Sequence, residues 1–332
     1  MKANAVIFPS ANKYETTEIS LDKVGPRDIL VKTLITAISP GTERWILRGK
    51  HIGTEFPCIP GYHRIGIVEE CGKEVKIFNP GDIVYGHLGR WNEKIHSMWG
   101  AHVSHSIFDY SHYEFISSEI PDVYELETLV FIIAAAMGYR GLRILEVQET
   151  NKILIIGAGF IGLCAAQIAL YYYDCIPIII DNNEERVQFA KKFTPNVLLT
   201  KDINFEKELK EIVKEGVDCI FDTAGIPEVI DMCVKHSKQR SKILLEAQYF
   251  DKEHRAIDLD QIKHKEMTIK TVISMRRTDR EETIKLINRR ILNIADLITH
   301  RFSYKEILQG YELLDKGSPF NMGIVFHWNK KN

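Results

Sequence analysis

The sequence has no apolar run long enough to cross a bilayer as a helix: its longest, Leu129 to Met137, has nine residues, where about 20 are needed. It has no excess of one charge either, since 43 Lys and Arg nearly balance 45 Asp and Glu for a net charge of -2. No positive field is available to draw in a phosphate backbone or an anionic surface, so neither nucleic acid nor a membrane is expected as a partner. Paired cysteines are missing: Cys58, Cys71, Cys164, Cys175, Cys219 and Cys233 lie far apart with no CxxC. They read as free thiols of a reducing compartment. The opening MKANAVIFPS meets a proline before an apolar signal region can form, which makes a cytoplasmic location the default expectation. No repeat or low-complexity tract is found.

What is present is a globular composition, 45% hydrophobic and 27% charged over 332 residues, enough for about two domains. The first third reads as β-rich. In DILVKTLITAI, Ile29, Val31, Thr33 and Ile35 alternate with Leu30, Lys32, Leu34 and Thr36, the period of a strand. Gly25-Pro26, Pro40-Gly41, Pro60-Gly61 and Pro80-Gly81-Asp82 punctuate these strands irregularly, which suits an open barrel. From about residue 150, short apolar runs (KILIIG, CIPIIID, NVLLT, VDCIFDTAG, KILLEAQ, MTIKTVIS) alternate with helical stretches. Strands covered on both faces lose polar alternation, so six such runs predict a doubly wound parallel sheet. A charged helix follows Arg276, and the last strand, GIVFHW, returns in composition to the N-terminal part. The fold class is therefore α/β, with one domain over 1–122 and 290–332 and the parallel-sheet domain over 123–289.

Gly157-Ala158-Gly159-Phe160-Ile161-Gly162 follows ILII and precedes LCAAQIAL. At a strand-to-helix junction the first glycine makes the tight turn, the second admits a pyrophosphate and the third lets the helix pack on the strand. Helix amides then face the phosphates. The alternative is a glycine-rich turn with no ligand. Asp181 ends the next strand, where a carboxylate accepts hydrogen bonds from an adenosine ribose and repels a 2′-phosphate. The residues after it, Asn182 and Asn183, are neutral, and Arg186 lies one helical turn on. These features favour NAD over NADP, the bland reading of Asp181 being a helix N-cap. In Asp222-Thr223-Ala224-Gly225, at the carboxyl edge of the sheet, Thr223 and Ala224 are further cofactor candidates, unless the segment is a plain turn. Arg276 and Arg277 could reach cofactor phosphate or lie on the surface.

PGY at 60–62 running into RIGIVEECG, PGDIVYG at 80–86, GAGFIG, DTAG and the tail LITHRFSYKEILQGYELLDKG with GIVFHW resemble the medium-chain dehydrogenase/reductase superfamily, that of the alcohol dehydrogenases. The resemblance covers essentially the whole chain. Within it, ISPGTERWILRG, PGYHRIG and MWGAHVSH look most like the bacteriochlorophyllide a dehydrogenase branch, which oxidises a hydroxyethyl group. The resemblance implies a GroES-like β-barrel catalytic domain, a Rossmann domain and a homodimer joined at the edges of the Rossmann sheets. MTIKTVIS would be the edge strand, one whose bare edge otherwise invites aggregation.

The zinc-dependent members place a cysteine where this chain has Ser39, a histidine at Tyr62 and a glutamate at His63, with the third ligand near Ile133. Serine, tyrosine and isoleucine do not supply the ligands zinc prefers, and residues 86–110 hold no cysteine for a structural zinc. No metal is expected, the alternative being a site of His63, His96, His102 and His105 with Glu43. Hydrogen-bond donors must then polarise a substrate carbonyl. Ser39, Thr42, Tyr62 and His63 are the candidates, on two loops that the resemblance sets around the reacting carbon. His63 is read as the proton shuttle or as a hydrogen-bonded loop histidine. Glu43 either orients substrate with Arg44 or simply pairs with it. Arg44, Arg48, Lys50 and His51 suit an anionic substrate or form a solvated face, while Trp99, His102 and His105 line the substrate side or, for Trp99, pack. The expected activity is zinc-independent, NAD(H)-dependent hydride transfer on a secondary alcohol or ketone of a small molecule. The alternatives are an NADPH-dependent enoyl or quinone reductase and a catalytically silent NAD-binding protein.

Overall fold

A computed structural model describes residues 1–92, 94–249, 256–316 and 320–328; the parts of the expected first domain at 317–319 and 329–332 lie outside the described residues. The chain forms two compact units, 1–131 with 295–332 and 132–294, where the sequence reading divided it after Asp122 and Arg289. Helix Val123–Leu129 stays with the first unit because its buried Glu127 carboxylate accepts from Arg301 Nε at 2.8 Å and meets His327 Nε2 at 2.8 Å. Helix Arg277–Asn288 stays with the second. Its buried Asp279 holds Arg140 and Arg143 of helix Ile132–Leu145 at 2.9 Å each.

The first unit is β-rich, as its alternation predicts. Its largest sheet runs Ile298–Ser303, Gly323–His327, Asp28–Ile38, His63–Cys71, Ile83–Tyr85 and Glu114–Ser117, with His105–Asp109 also paired to Asp28–Ile38. Gly323–His327 lies antiparallel to Asp28–Ile38, Phe326 opposite Thr36. Val6, Phe8, Ile38, Ile46, Tyr311, Ile324 and Phe326 share one apolar core, so residues from both ends of the chain bury a common surface.

The second unit is a six-stranded parallel sheet in the order Val197–Leu199, Ile176–Asp181, Lys152–Ile156, Val217–Asp222, Ser237–Leu245, Thr268–Thr271. Each strand falls on one of the six apolar runs. The strand order reverses between Lys152–Ile156 and Val217–Asp222, the switch point where such sheets take ligands. All six cysteines are unpaired, and no single helix among the described residues is long and apolar enough to cross a membrane.

Candidate functional site

In the second unit the loop after Lys152–Ile156 is built as a phosphate cradle. Gly157 takes φ +102°, and a Cβ on Gly162 would stand 2.1 Å from the Gly157 carbonyl oxygen. The turn and the close helix approach therefore both require glycine. Around Gly159 a Cβ would meet nothing within 4 Å, and no side chain caps helix Phe160–Tyr171 there. The first amides of that helix are thus left for an anion. Phe160 is buried and Ile161 half-buried. Space over a glycine beside a helix N-terminus that no side chain caps is what a dinucleotide pyrophosphate requires, and the residues present fit one.

Asp181 stands at the edge of this cradle. Its Oδ2 accepts from Ala158 N and its Oδ1 from Asn183 N, both at 2.8 Å. Asn183, not Asp181, caps helix Glu184–Ala190, accepting from Arg186 N at 3.0 Å. Asn182 is exposed and Arg186 half-buried. Thr223 Oγ1 donates to Ile156 O at 2.7 Å, and Ala224 N donates to Asp222 Oδ1 at 2.9 Å, which ties DTAG to the glycine loop. Arg276 instead precedes helix Arg277–Asn288, its N–H donating to Asp279 at 2.8 Å, and exposed Arg277 pairs with Glu281 at 2.8 Å.

A second feature of this rim has no motif to announce it. Asp222 accepts from the Tyr249 hydroxyl, and burial raises its carboxyl above the usual range. Beyond the adjacent strand, both carboxyl oxygens of Glu246 are buried without a hydrogen-bond partner. Burial, then the charge of Asp222, pushes that acid up to about 8. A glutamate closing an apolar run was the only sequence signal.

In the first unit, Ser39 and Tyr62 meet through their hydroxyls at 2.5 Å. Ser39 precedes helix Pro40–Leu47, and its N–H donates to Glu43 Oε1 at 2.9 Å. Thr42 is half-buried on that helix. Tyr62 lies edge-on to Trp99, with centroids 5.5 Å apart, and Trp99 in turn meets His51 at 5.3 Å. Behind them, Glu43 is fully buried. Its Oε2 accepts from the Tyr311 hydroxyl at 2.8 Å and faces His102 Nε2 at 3.2 Å. His102 Nδ1 lies 3.0 Å from Thr36 Oγ1.

Several expectations are corrected by these contacts. His63 is 1% exposed, with Nδ1 3.3 Å from the Tyr85 hydroxyl. Burial, with His102 and His87 adding to it, lowers its pKa to about 3. A ring kept neutral and out of water at the start of strand His63–Cys71 is a hydrogen-bonded structural histidine, not a proton shuttle. Glu43 does not pair with Arg44, whose Nε donates to Leu314 O at 3.2 Å. His102 is internal and lines no surface. The five-residue metal alternative is dispersed: His96 faces Glu55 at 3.3 Å and His105 faces Glu69 at 3.6 Å. Among the described residues no group of three or more His, Cys, Asp or Glu is placed to hold a metal ion. Arg48 and Lys50 are exposed, Lys50 lying over the Trp45 ring at 5.7 Å.

The fold and these two sites define a protein that pairs a GroES-like barrel with a Rossmann-type sheet. The family described as alcohol dehydrogenase GroES-like domain matches residues 25–104, and that described as zinc-binding dehydrogenase matches 161–289. Together they span more than half of the chain, which belongs to the medium-chain alcohol dehydrogenase-like superfamily. It is 20% identical to a D-xylulose reductase of Saccharomyces cerevisiae, over 93% of this chain and 93% of that one. It is 25% identical to an L-threonine 3-dehydrogenase of Vibrio cholerae, over 94% of each. An alcohol dehydrogenase from E. coli CFT073 complexed with NADH shares the fold with a TM-score of 0.84 at 17% identity, over 98% of this chain and 99% of that one. At two of the positions that the resemblance gives to zinc ligands stand hydroxyls bonded to each other, Ser39 and Tyr62, and the third falls near Ile133, side chains that do not supply the ligands zinc prefers.

Proposed function

We propose that this protein is a zinc-independent, NAD(H)-dependent oxidoreductase that moves hydride between nicotinamide and a secondary alcohol or ketone of a small molecule. The observation that carries the reading is the Ser39–Tyr62 hydroxyl pair, two donors where the metal-dependent relatives need soft ligands. The second unit holds the dinucleotide: Gly157, Gly159 and the first amides of helix Phe160–Tyr171 receive the pyrophosphate, and Asp181 receives the adenosine ribose. Each Asp181 oxygen takes one backbone N–H and keeps a lone pair for a ribose hydroxyl, while its charge opposes a 2′-phosphate. NAD supplies the hydride chemistry when bound. In the first unit, Tyr62 donates a proton toward the carbonyl oxygen during reduction, and Ser39, bonded to the phenol, holds it in place and returns a proton to it, water replacing the one Ser39 gives up. Removing one such preorganised donor typically costs about 2.7 to 4 kcal/mol of transition-state stabilisation. Glu43, His102 and Tyr311 position Ser39 from behind. The protein is further proposed to work as a homodimer in the cytoplasm.

The test is a panel of ketones and secondary alcohols assayed by NADH absorbance, with elemental analysis of the same preparation. Turnover without stoichiometric zinc is expected. One tightly held zinc per chain, with activity lost on chelation, overturns the zinc-independent reading.

A further inference from the structure

Glu246 is the one carboxyl of the nucleotide rim, among the described residues, that the cradle described above does not use. It follows strand Ser237–Leu245, and its N–H donates to Asp222 O at 3.2 Å, so it extends the ladder to the end of the neighbouring strand. Strand alternation sets it on the face of Leu244. That face is covered by helix Ile132–Leu145, whose Gly141 comes up against Leu244, and by helix Phe160–Tyr171, whose Cys164 thiol is pushed up by burial and by the Glu246 charge. Among the described residues the titratable groups facing the acid are Asp222, Cys164 and Tyr249, and none of the three is a cation. Burial and the neighbouring Asp222 charge both disfavour the ionised form, so at neutral pH the neutral acid is the favoured one. Yet neither oxygen has a protein partner, and buried polar groups in native chains are nearly always bonded.

The position of this acid relative to the switch point decides what its partner is. A dinucleotide straddles the point where strand order reverses, one mononucleotide over each half of the sheet. Asp181 marks the adenosine half. Strands Val217–Asp222 and Ser237–Leu245 form the other, so the nicotinamide half lies over the strand that Glu246 extends. A neutral carboxylic acid presents one O–H donor beside one carbonyl acceptor. A primary carboxamide presents the complement, a carbonyl acceptor beside an N–H donor, and the two close a ring of two hydrogen bonds.

We propose that Glu246, as the neutral acid, binds the carboxamide of the nicotinamide ring and so selects the reactive end of the cofactor. The residue as a whole is half-buried, and the proposed contact requires its carboxyl to rotate from the buried position toward the cradle. This inference rests on the dinucleotide reading given above. It assigns Glu246 a contact with the cofactor and no proton transfer.

The experiment compares the binding of NADH with that of ADP-ribose, which keeps the adenosine, pyrophosphate and second ribose but has no carboxamide. Both are titrated against the wild type, Glu246→Ala and Glu246→Gln between about pH 6 and about pH 9.5. The wild type is expected to lose NADH affinity by about tenfold per pH unit above a midpoint of about 8, while ADP-ribose binding stays flat. Glu246→Ala should weaken NADH by about tenfold or more at neutral pH and leave ADP-ribose within about twofold. Glu246→Gln, which keeps a donor and an acceptor but does not titrate, should bind NADH with no pH dependence. Equal weakening of both ligands, no weakening in Glu246→Ala, or an unchanged pH profile in Glu246→Gln overturns the proposal. ADP-ribose binding by the variants reports that they are folded. A wild type that binds neither ligand overturns the dinucleotide reading, and this inference with it.

Discussion

The hydroxyls of Ser39 and Tyr62 are 2.5 Å apart although 23 residues separate them in the chain. The pair is fixed from two sides. Glu43 accepts the Ser39 N–H, and the Tyr85 hydroxyl donates to Tyr62 O at 2.8 Å. The donor pair is therefore preorganised before any substrate arrives, which is the condition for a fixed dipole to lower a barrier.

Tyr62→Phe removes the proposed donor and leaves the aromatic packing on Trp99. Turnover is expected to fall by roughly 10² or more, with NADH affinity changed by less than about threefold. Steady-state kinetics beside a fluorescence titration checks both. Near-wild-type turnover would move the proton path elsewhere.

Asp181 supplies the only charge proposed to choose between the two cofactors. The wild type should bind NADH more tightly than NADPH, and Asp181→Ala should narrow the difference. Tighter NADPH binding by the wild type, measured by the same fluorescence titration, would contradict the NAD preference.

His63 ties folding to pH. Its folded pKa, about 3, lies below the ordinary value of 6.5, so the unfolded chain takes up a proton that the folded chain refuses. Stability from this residue is fully present above about pH 6.5 and is lost as pH falls from there toward about 3. Replacing it with the non-titrating His63→Leu should flatten the decline of Tm on the acid side. Scanning calorimetry at several pH values is the measurement, and an unchanged slope would show that other groups carry the acid sensitivity.

Among the described residues strand Thr268–Thr271 pairs only with Ser237–Leu245, and its Ile269 is 42% exposed. If two copies join at this edge, light scattering at micromolar concentration will give a dimer mass for the wild type and a monomer for Ile269→Lys. A monomeric wild type would remove the proposal.

The parallel sheet was legible because strands such as Lys152–Ile156 are apolar on both faces, and the cradle because Gly157 and Gly162 are forced by geometry that no other residue satisfies. Local sequence held both. Burial of His63 was not legible, since PGYHRIG reads the same whether its ring faces water or the Tyr85 hydroxyl. Nor was the partner of Glu43: Tyr311 lies 268 residues away, and only the return of the final segment brings helix Ile307–Lys316 against helix Pro40–Leu47. Gly61 shows the same dependence on distant packing. It takes φ +94°, and a Cβ there would approach the His102 ring to 2.3 Å, a crowding that Pro60-Gly61 as a turn signal does not reveal.

Because Gly323–His327 pairs with Asp28–Ile38, the unit whose first strands precede 132–294 in the chain is completed only after 132–294 has been made. Val6, Phe8 and Ile38 have no Ile324 or Phe326 to pack against until those residues are made, whereas the last strand of the parallel sheet, Thr268–Thr271, is complete some fifty residues before Gly323. Vectorial synthesis thus finishes the nucleotide-binding unit while the N-terminal barrel still exposes apolar surface. A chain arrested before residue 323 would keep a nearly intact Rossmann sheet joined to an open, adhesive barrel, a natural target for chaperones and quality-control proteases.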